Sequence, residues 1–259
     1  MQIETLGEGT KPDYNRRAMS SLPNWLRYGF RNWRMVRETV RLKAGVGTAS
    51  DACEVEFHKL FYETAYAKGD AWNPKWMGVA ALKCPFDLWV YQEILHELRP
   101  DLILETGTAR GGSALFLASM FDLLGSGAVV SIDIVRRPEW PTHPRVTYLT
   151  GSSTSGPILE EVRRRTAAAS RVMVILDSDH RKDHVLEELT AYAPLVTKGS
   201  YLIVEDTNIN GRPVFPGFGP GPGEAVDDFL AANPSFERDL QRERFFVTFN
   251  PGGYLRRVH

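Results

Sequence analysis

Three short stretches concentrate the residues that can do chemistry. The first is Glu105-Thr-Gly107-Thr108-Ala-Arg-Gly111-Gly-Ser113, a glycine-rich turn directly behind an acid. The second is Asp177-Ser-Asp179-His180, and the third is Glu205-Asp206. A glycine turn that opens a helix lets the backbone approach a ligand and presents free N–H groups to it. This turn departs from the dinucleotide pattern GxGxxG at Ala109, where the backbone has to meet a pyrophosphate. Glu105 is also poor company for a pyrophosphate, and good company for the cationic amine of S-adenosylmethionine (SAM). Asp133 ends the next apolar run, where a carboxylate can accept hydrogen bonds from both ribose hydroxyls of an adenosine. Capping a turn is its other reading. Ser152 and Ser153, after the third run, are placed to line the adenine or ribose. Glu105, Gly107, Thr108, Gly111, Ser113, Asp133, Ser152 and Ser153 thus form a candidate cofactor site that favours SAM over NAD.

Carboxylates gathered at the mouth of an apolar sheet repel one another and lose hydration, so they need a cation or buried partners. All-oxygen donors favour Mg²⁺ or Ca²⁺ over zinc. Asp177, Glu205 and Asp206 are accordingly expected to hold a divalent ion, Mg²⁺ first, that lowers the pKa of an acceptor hydroxyl and aligns it with the SAM methyl. A purely structural Glu205-Asp206 pair is the alternative. Asp179 or His180 is expected to take the hydroxyl proton, His180 having the better ordinary pKa for it. Otherwise Ser178 or Asp179 caps the following helix and His180 is an exposed turn residue. His180 and His184 make an HxxxH spacing, but Arg181 stands where a zinc peptidase motif needs Glu.

Elements that could position these groups follow from periodicity. A helix is predicted over 54–68 and another over 86–98, stopped by Arg99-Pro100. Beyond them strands at 102–104, 128–133, 145–149, 172–176 and 201–204 alternate with helices at 112–124, 156–168, 183–196 and 224–232. A last strand is predicted at 245–249. Such alternation means βαβ units in a mostly parallel, Rossmann-like α/β sheet, with ligands beyond the carboxyl ends of the strands. Residues 21–43 read as a helix with Trp25, Phe30, Trp33, Val36 and Val40 on one stripe and arginines opposite. It suits packing on its own domain or a sister subunit, and also an anionic or membrane surface. The expected division is a helical extension, 1–70, and a cofactor-binding domain, 71–259. The Gly/Pro-rich segment 207–223 can close over a substrate, with Phe215 and Phe218 as stacking groups, or it is an ordinary connection. Trp72, Trp76 and Tyr91 are candidates for the opposite wall, with core packing as their other use.

The bulk composition excludes several classes. A net charge of -1 gives no whole-chain attraction to nucleic acid or acidic membrane. Two cysteines, Cys53 and Cys84, in no CxxC pattern rule out a cysteine zinc site. No apolar run approaches the ~20 residues of a membrane span, and the first residues lack the pattern of a signal peptide. A cytoplasmic enzyme is expected, forming a homo-oligomer.

In combination these motifs look familiar. The run from Pro100 to Ser113 resembles the first motif of the cephalosporin hydroxylase / rhamnosyl O-methyltransferase family. So do Asp177-Ser-Asp-His180, Tyr201-Leu-Ile-Val-Glu-Asp-Thr-Asn-Ile-Asn210, Asn250-Pro-Gly-Gly-Tyr-Leu255, Lys83-Cys-Pro-Phe-Asp87 and Tyr91-Gln-Glu93. The resemblance covers roughly residues 70–255. It implies a class I methyltransferase fold with SAM and a divalent metal, and it supports Asp177, Glu205 and Asp206 as ligands. The implied activity is O-methylation of a small molecule such as a sugar moiety of a natural product, in the manner of antibiotic biosynthesis. The rivals are an NAD-type oxidoreductase or hydroxylase on the same sheet, and a non-catalytic SAM-binding partner protein. No 2-His-1-carboxylate set is placed for iron.

Overall fold

A computed structural model describes residues 47–69 and 72–259. The predicted helix at 21–43 lies outside the described residues. The chain forms α1 (Gly47–Lys68), a small hairpin of β1 (Lys75–Trp76) and β2 (Val79–Ala80), α2 (Pro85–Leu98), β3 (Leu102–Thr106), α3 (Gly112–Leu124), β4 (Ala128–Asp133), β5 (Val146–Thr150), α4 (Gly156–Thr166), β6 (Val172–Leu176), α5 (Lys182–Tyr192), β7 (Tyr201–Val204), α6 (Pro222–Ala232), β8 (Phe236–Arg238) and β9 (Tyr254–Arg257). Seven strands make one sheet in the order β5-β4-β3-β6-β7-β9-β8. The five strands from β5 to β7 run parallel, while β9 is antiparallel to both β7 and β8. The order therefore reverses between β3 and β6, and the crevice outside their carboxyl ends is where a ligand enters such a sheet.

Alternation along the central strands sorts their side chains into two cores. Leu102, Leu104, Val172, Val174, Leu176, Leu202 and Val204 pack with Val162, Leu189 and Val226 on one face. Ile103, Val129, Met173, Ile175, Tyr201 and Ile203 pack with Val90, Tyr91, Ile94, Leu95, Leu117 and Phe121 on the other. The buried members of α2, namely Asp87, Val90, Tyr91, Ile94 and Leu95, follow the helical repeat. The same parity, carried to the strand ends, sends Glu105, Ser131, Asp177 and Glu205 toward the α2 face. Four chemically active groups thus share one side of the sheet because they stand an even number of residues from core members of that face.

One sequence expectation is corrected. Residues 245–249 are not a strand. Their backbone is taken by a buried carboxylate: Asp87 accepts the Phe249 N–H at 2.9 Å and the Thr248 hydroxyl at 2.5 Å, and Phe246 lies at φ 68°. The last strands are instead the β8–β9 hairpin. The compact unit that carries the sheet begins at Glu54. His58 and Tyr62 of α1 are buried in it, with Tyr62 packed edge-on against Phe249. No helix among the described residues is long and apolar enough to cross a membrane. Cys53 is exposed and Cys84 buried, both free.

Asp87 also takes the Tyr254 hydroxyl at 2.8 Å, so it pins both ends of the segment that carries Asn250-Pro-Gly-Gly. Burial lifts its carboxyl to about 6, against the opposing pull of these three donors. A carboxyl that holds its proton more tightly when folded destabilises the fold progressively as pH rises from about 4 to 6, by about 3 kcal/mol at most. We expect denaturant midpoints of Asp87→Asn to fall less than those of the unaltered protein between pH 4.5 and 6.5. Parallel pH profiles of the two proteins would remove this role.

Candidate functional site

The rim of the sheet is built around a buried ammonium. Lys83, 2% exposed, projects from just ahead of α2 and forms ion pairs with Asp177 and with Glu205, the latter at 2.7 Å. The Tyr91 hydroxyl donates to the same Glu205 oxygen at 2.7 Å and receives the Asn250 side-chain N–H at 3.2 Å. Asn250 in turn accepts the Asp206 backbone N–H at 3.1 Å, with Asp206 itself in the left-handed region at φ 52°. Across from it His180 Nε2 lies 3.0 Å from Asp206 Oδ2. One ligand atom each from Asp177, His180 and Asp206 falls within 4.8 Å of the others.

Asp177 and Asp206 converge, but Glu205 is not among the converging groups, since Lys83 and Tyr91 hold it. Sequence reasoning placed Lys83 in a motif but gave it no role, because a lone lysine before a helix gains meaning only once the face that helix covers is known. His180 is no ordinary turn residue. Burial alone would lower its pKa, but Asp206, Asp177 and Glu205 outweigh that and lift it to about 9. In this arrangement it carries its proton at neutral pH. Asp179 turns away to an exposed ion pair with Arg181 at 2.6 Å and lines a different cavity, which separates it from the carboxylate cluster. His184 points to Ser178 and Glu188, so His180 and His184 share no ligand position.

The cofactor candidates divide between two adjoining cavities that share Gly107 and Ser178. One, of about 370 Å³, is lined by Ile132, Asp133, Ile134, Gly151, Ser152, Ser153, Asp179 and His184 among others. Asp133 accepts the Ala109 and Val135 backbone N–H groups, both at 2.9 Å, which turns its carboxylate toward this space. The other, of about 340 Å³, is lined by Tyr62, Asn73, Leu82, Ser113, Asp177, His180, Asp206 and Phe249 among others. Gly107, at φ 85°, lies so close to β6 that a Cβ would sit 1.7 Å from the Asp177 carbonyl oxygen. Thr108 is buried, its hydroxyl 2.7 Å from that of Ser131, which donates to Glu105 Oε2 at 2.5 Å. Glu105 is wholly buried, yet its Oε1 has no hydrogen-bond partner. Burial raises its pKa, opposed chiefly by Lys83. Tyr62 and Phe249 are wall residues that sequence reasoning missed. Of those it named, Tyr91 is buried beneath Glu205, Trp76 packs edge-on against Phe116, and Phe215 packs edge-on against Tyr62. Trp72 and Phe218 remain exposed.

Charge tells what such a rim can take. Four carboxylates, Glu105, Asp177, Glu205 and Asp206, face one ammonium and one imidazolium, a surplus of two negative charges. Burial, with Asp206 adding to it, raises the Asp177 carboxyl; burial and the Asp177 charge do the same to Glu205. A cationic ligand relieves both. A pyrophosphate, set above the free Glu105 Oε1, would add to the surplus.

A reversing parallel sheet with an antiparallel strand beside β7, an acid under its glycine turn and a second acid at the end of β4 defines the class I methyltransferase fold. The CmcI-N160 apo-structure matches it with a TM-score of 0.59 at 23% identity, covering 76% of this chain and 84% of that one. The structure titled cmcI-D160 Mg-SAM matches with a TM-score of 0.57 at 23% identity, covering 72% and 77%. A family model described as rhamnosyl O-methyltransferase/CmcI matches residues 69–258. The rhamnosyl O-methyltransferase of Mycobacterium leprae (strain TN) is 40% identical over 213 residues, 80% of this chain and 91% of that protein. Its namesake from Mycobacterium tuberculosis (strain ATCC 25618 / H37Rv) is 39% identical over 214 residues, 80% and 85% respectively. The chain belongs to the rhamnosyl O-methyltransferase/CmcI family.

Removing Lys83 leaves two buried carboxylates facing each other, a loss of roughly 3–5 kcal/mol. For a chain of this size we expect Lys83→Met to lower the melting temperature by roughly 10 °C. An unchanged melting temperature in calorimetry would mean the ammonium does not hold the rim together.

Proposed function

We propose that the protein is a SAM-dependent, divalent-cation-dependent O-methyltransferase acting on a hydroxyl of a small molecule, specifically a sugar moiety of a natural product. The observation that carries this reading is the surplus of buried negative charge, with the unpartnered Glu105 Oε1 beneath the glycine turn and Asp177 and Asp206 converging beside it. The relatives named rhamnosyl O-methyltransferase, and the similar structure whose title states Mg-SAM, support it.

When bound, SAM supplies the methyl group and the divalent ion supplies a Lewis acid that eases loss of the acceptor's proton. Glu105 offers its free oxygen to the cofactor's ammonium, in a dry setting where the pairing is strong. Asp133, its orientation fixed by two backbone donors, accepts the ribose hydroxyls, and Ser152 and Ser153 line the same cavity. Asp177 and Asp206 hold the ion through oxygen. Glu205 stands behind them as the partner Asp177 shares through Lys83. His180 keeps Asp206 ionised: burial alone would raise that carboxyl, and the imidazolium outweighs it and sets it below its usual range. Tyr62 and Phe249 present apolar ring surface to the acceptor, the kind of surface that the C–H face of a sugar covers.

Methyl transfer from labelled SAM to rhamnosyl acceptors tests this directly. Activity is expected with Mg²⁺ and lost with EDTA. Asp206→Ala should lower kcat at least ~100-fold, roughly the worth of a misplaced reactant, while S-adenosylhomocysteine still binds. Asp133→Ala should weaken S-adenosylhomocysteine binding about tenfold, the worth of a charged hydrogen bond. Full turnover in EDTA would sink the metal's role, and unchanged affinity in Asp133→Ala would remove the ribose contact.

A further inference from the structure

Ala109 is the residue at which the glycine turn breaks the dinucleotide pattern, and it sits in a conformation that alanine resists. Its φ is 46°, in the left-handed region, at a cost of order 1 kcal/mol or more for a residue with a Cβ. Something must hold it there. Both of its backbone polar groups are occupied by the segment that leaves β4. Its N–H donates to Asp133 Oδ2 at 2.9 Å, and its carbonyl accepts the Trp140 Nε1–H at 2.9 Å. The next two residues meet the same segment. Arg110 pairs with Glu139 at 3.1 Å, and a Cβ on Gly111 would lie 2.8 Å from the Pro141 ring.

The segment itself is anchored. Trp140 is 6% exposed and stacks on Tyr148 of β5 with ring centroids 4.7 Å apart and planes 26° from parallel. The guanidinium of Arg136 lies over both rings, 4.9 Å from the Trp140 centroid and 5.5 Å from that of Tyr148. The Tyr148 hydroxyl donates to the Pro141 carbonyl at 2.9 Å. One aromatic ring and one guanidinium therefore fix an indole whose N–H is spent on one carbonyl of the glycine turn.

We propose that residues 136–141 act as a brace on the glycine turn, and that Trp140 is a positioning residue that keeps Ala109 in its left-handed conformation so that Gly107, Asp133 and the start of α3 face a nucleoside cofactor together. The proposal rests on the SAM reading for the ligand's identity, not for the brace. Asp133 has two tasks in it: it accepts the Ala109 N–H and faces the nucleoside cavity. The alanine that weakens a dinucleotide match thereby becomes the point where the turn is locked.

Three proteins test it: the unaltered chain, Trp140→Phe, and Trp140→Phe combined with Ala109→Gly. Phe keeps a ring to stack on Tyr148 and lacks the N–H. Amide hydrogen exchange without ligand should be at least fivefold faster across residues 107–111 in Trp140→Phe, with 102–105 of β3 unchanged. S-adenosylhomocysteine affinity by calorimetry should fall about tenfold, as for a buried carbonyl deprived of its donor. Adding Ala109→Gly should recover at least a third of that loss on a logarithmic scale, because glycine adopts the conformation without help. A general packing defect would not be relieved by a change at residue 109. Unchanged exchange at 107–111, or a defect that Ala109→Gly does not relieve, overturns the brace. Should Trp140→Phe not fold, Glu139→Gln takes its place in the exchange measurement, and unaltered exchange there equally counts against it. If the unaltered chain binds no S-adenosylhomocysteine while exchange responds as stated, the cofactor reading fails and the brace stands.

Discussion

Burying carboxylates without enough cations is the constraint on which this structure turns. Strand alternation delivers Glu105, Asp177 and Glu205 to one face of the sheet at its rim, and the turn after β7 adds Asp206. Transfer of such groups out of water is costly unless they are paired. The fold answers in part with Lys83, which bridges Asp177 and Glu205, and with His180, which meets Asp206. The answer is incomplete by two charges. That deficit, with burial, raises the Glu105, Asp177 and Glu205 carboxyls and so favours their protons. Two cations of the right shape would replace them.

The geometry also divides labour along the rim. Asp133 and the serines after β5 address one cavity, Asp177 and Asp206 the other, and the Gly107–Ser178 junction lies between. The glycine at 107 is required less by a ligand than by the carbonyl of Asp177, against which any side chain would collide. Close approach of β3 and β6 at that point brings the two cavities into contact. A methyl donor in one and an activated hydroxyl in the other would then need no large movement to meet.

Much of this was legible in the sequence. The alternation of 102–204 reads as a parallel sheet because short strands alternate with helices and the run 172–176 is apolar on both faces. The acids at 105, 133, 177 and 206 stand where such a sheet binds ligands. The ammonium was harder to see, since a lysine in an apolar stretch signals nothing until the partner face of the helix beside it is known. The same holds for Glu205, a plausible metal ligand by type and place, yet drawn to Lys83 and Tyr91. Residues 245–249 have the composition of a strand and lack its structure, because Asp87, 161 and 162 positions before Thr248 and Phe249, captures their donors. His58, Tyr62 and Phe249 meet across nearly two hundred residues, a contact no local pattern encodes.

The central claim is that a sulfonium cofactor and a hard divalent ion occupy neighbouring places on this rim. The most direct measurement is NMR of SAM labelled with ¹³C in its methyl group, bound to the protein and titrated with Mn²⁺ as a paramagnetic stand-in for Mg²⁺. Strong, saturable broadening of the bound methyl signal that excess Mg²⁺ reverses is the predicted result. A methyl signal indifferent to Mn²⁺ while SAM remains bound would contradict the account.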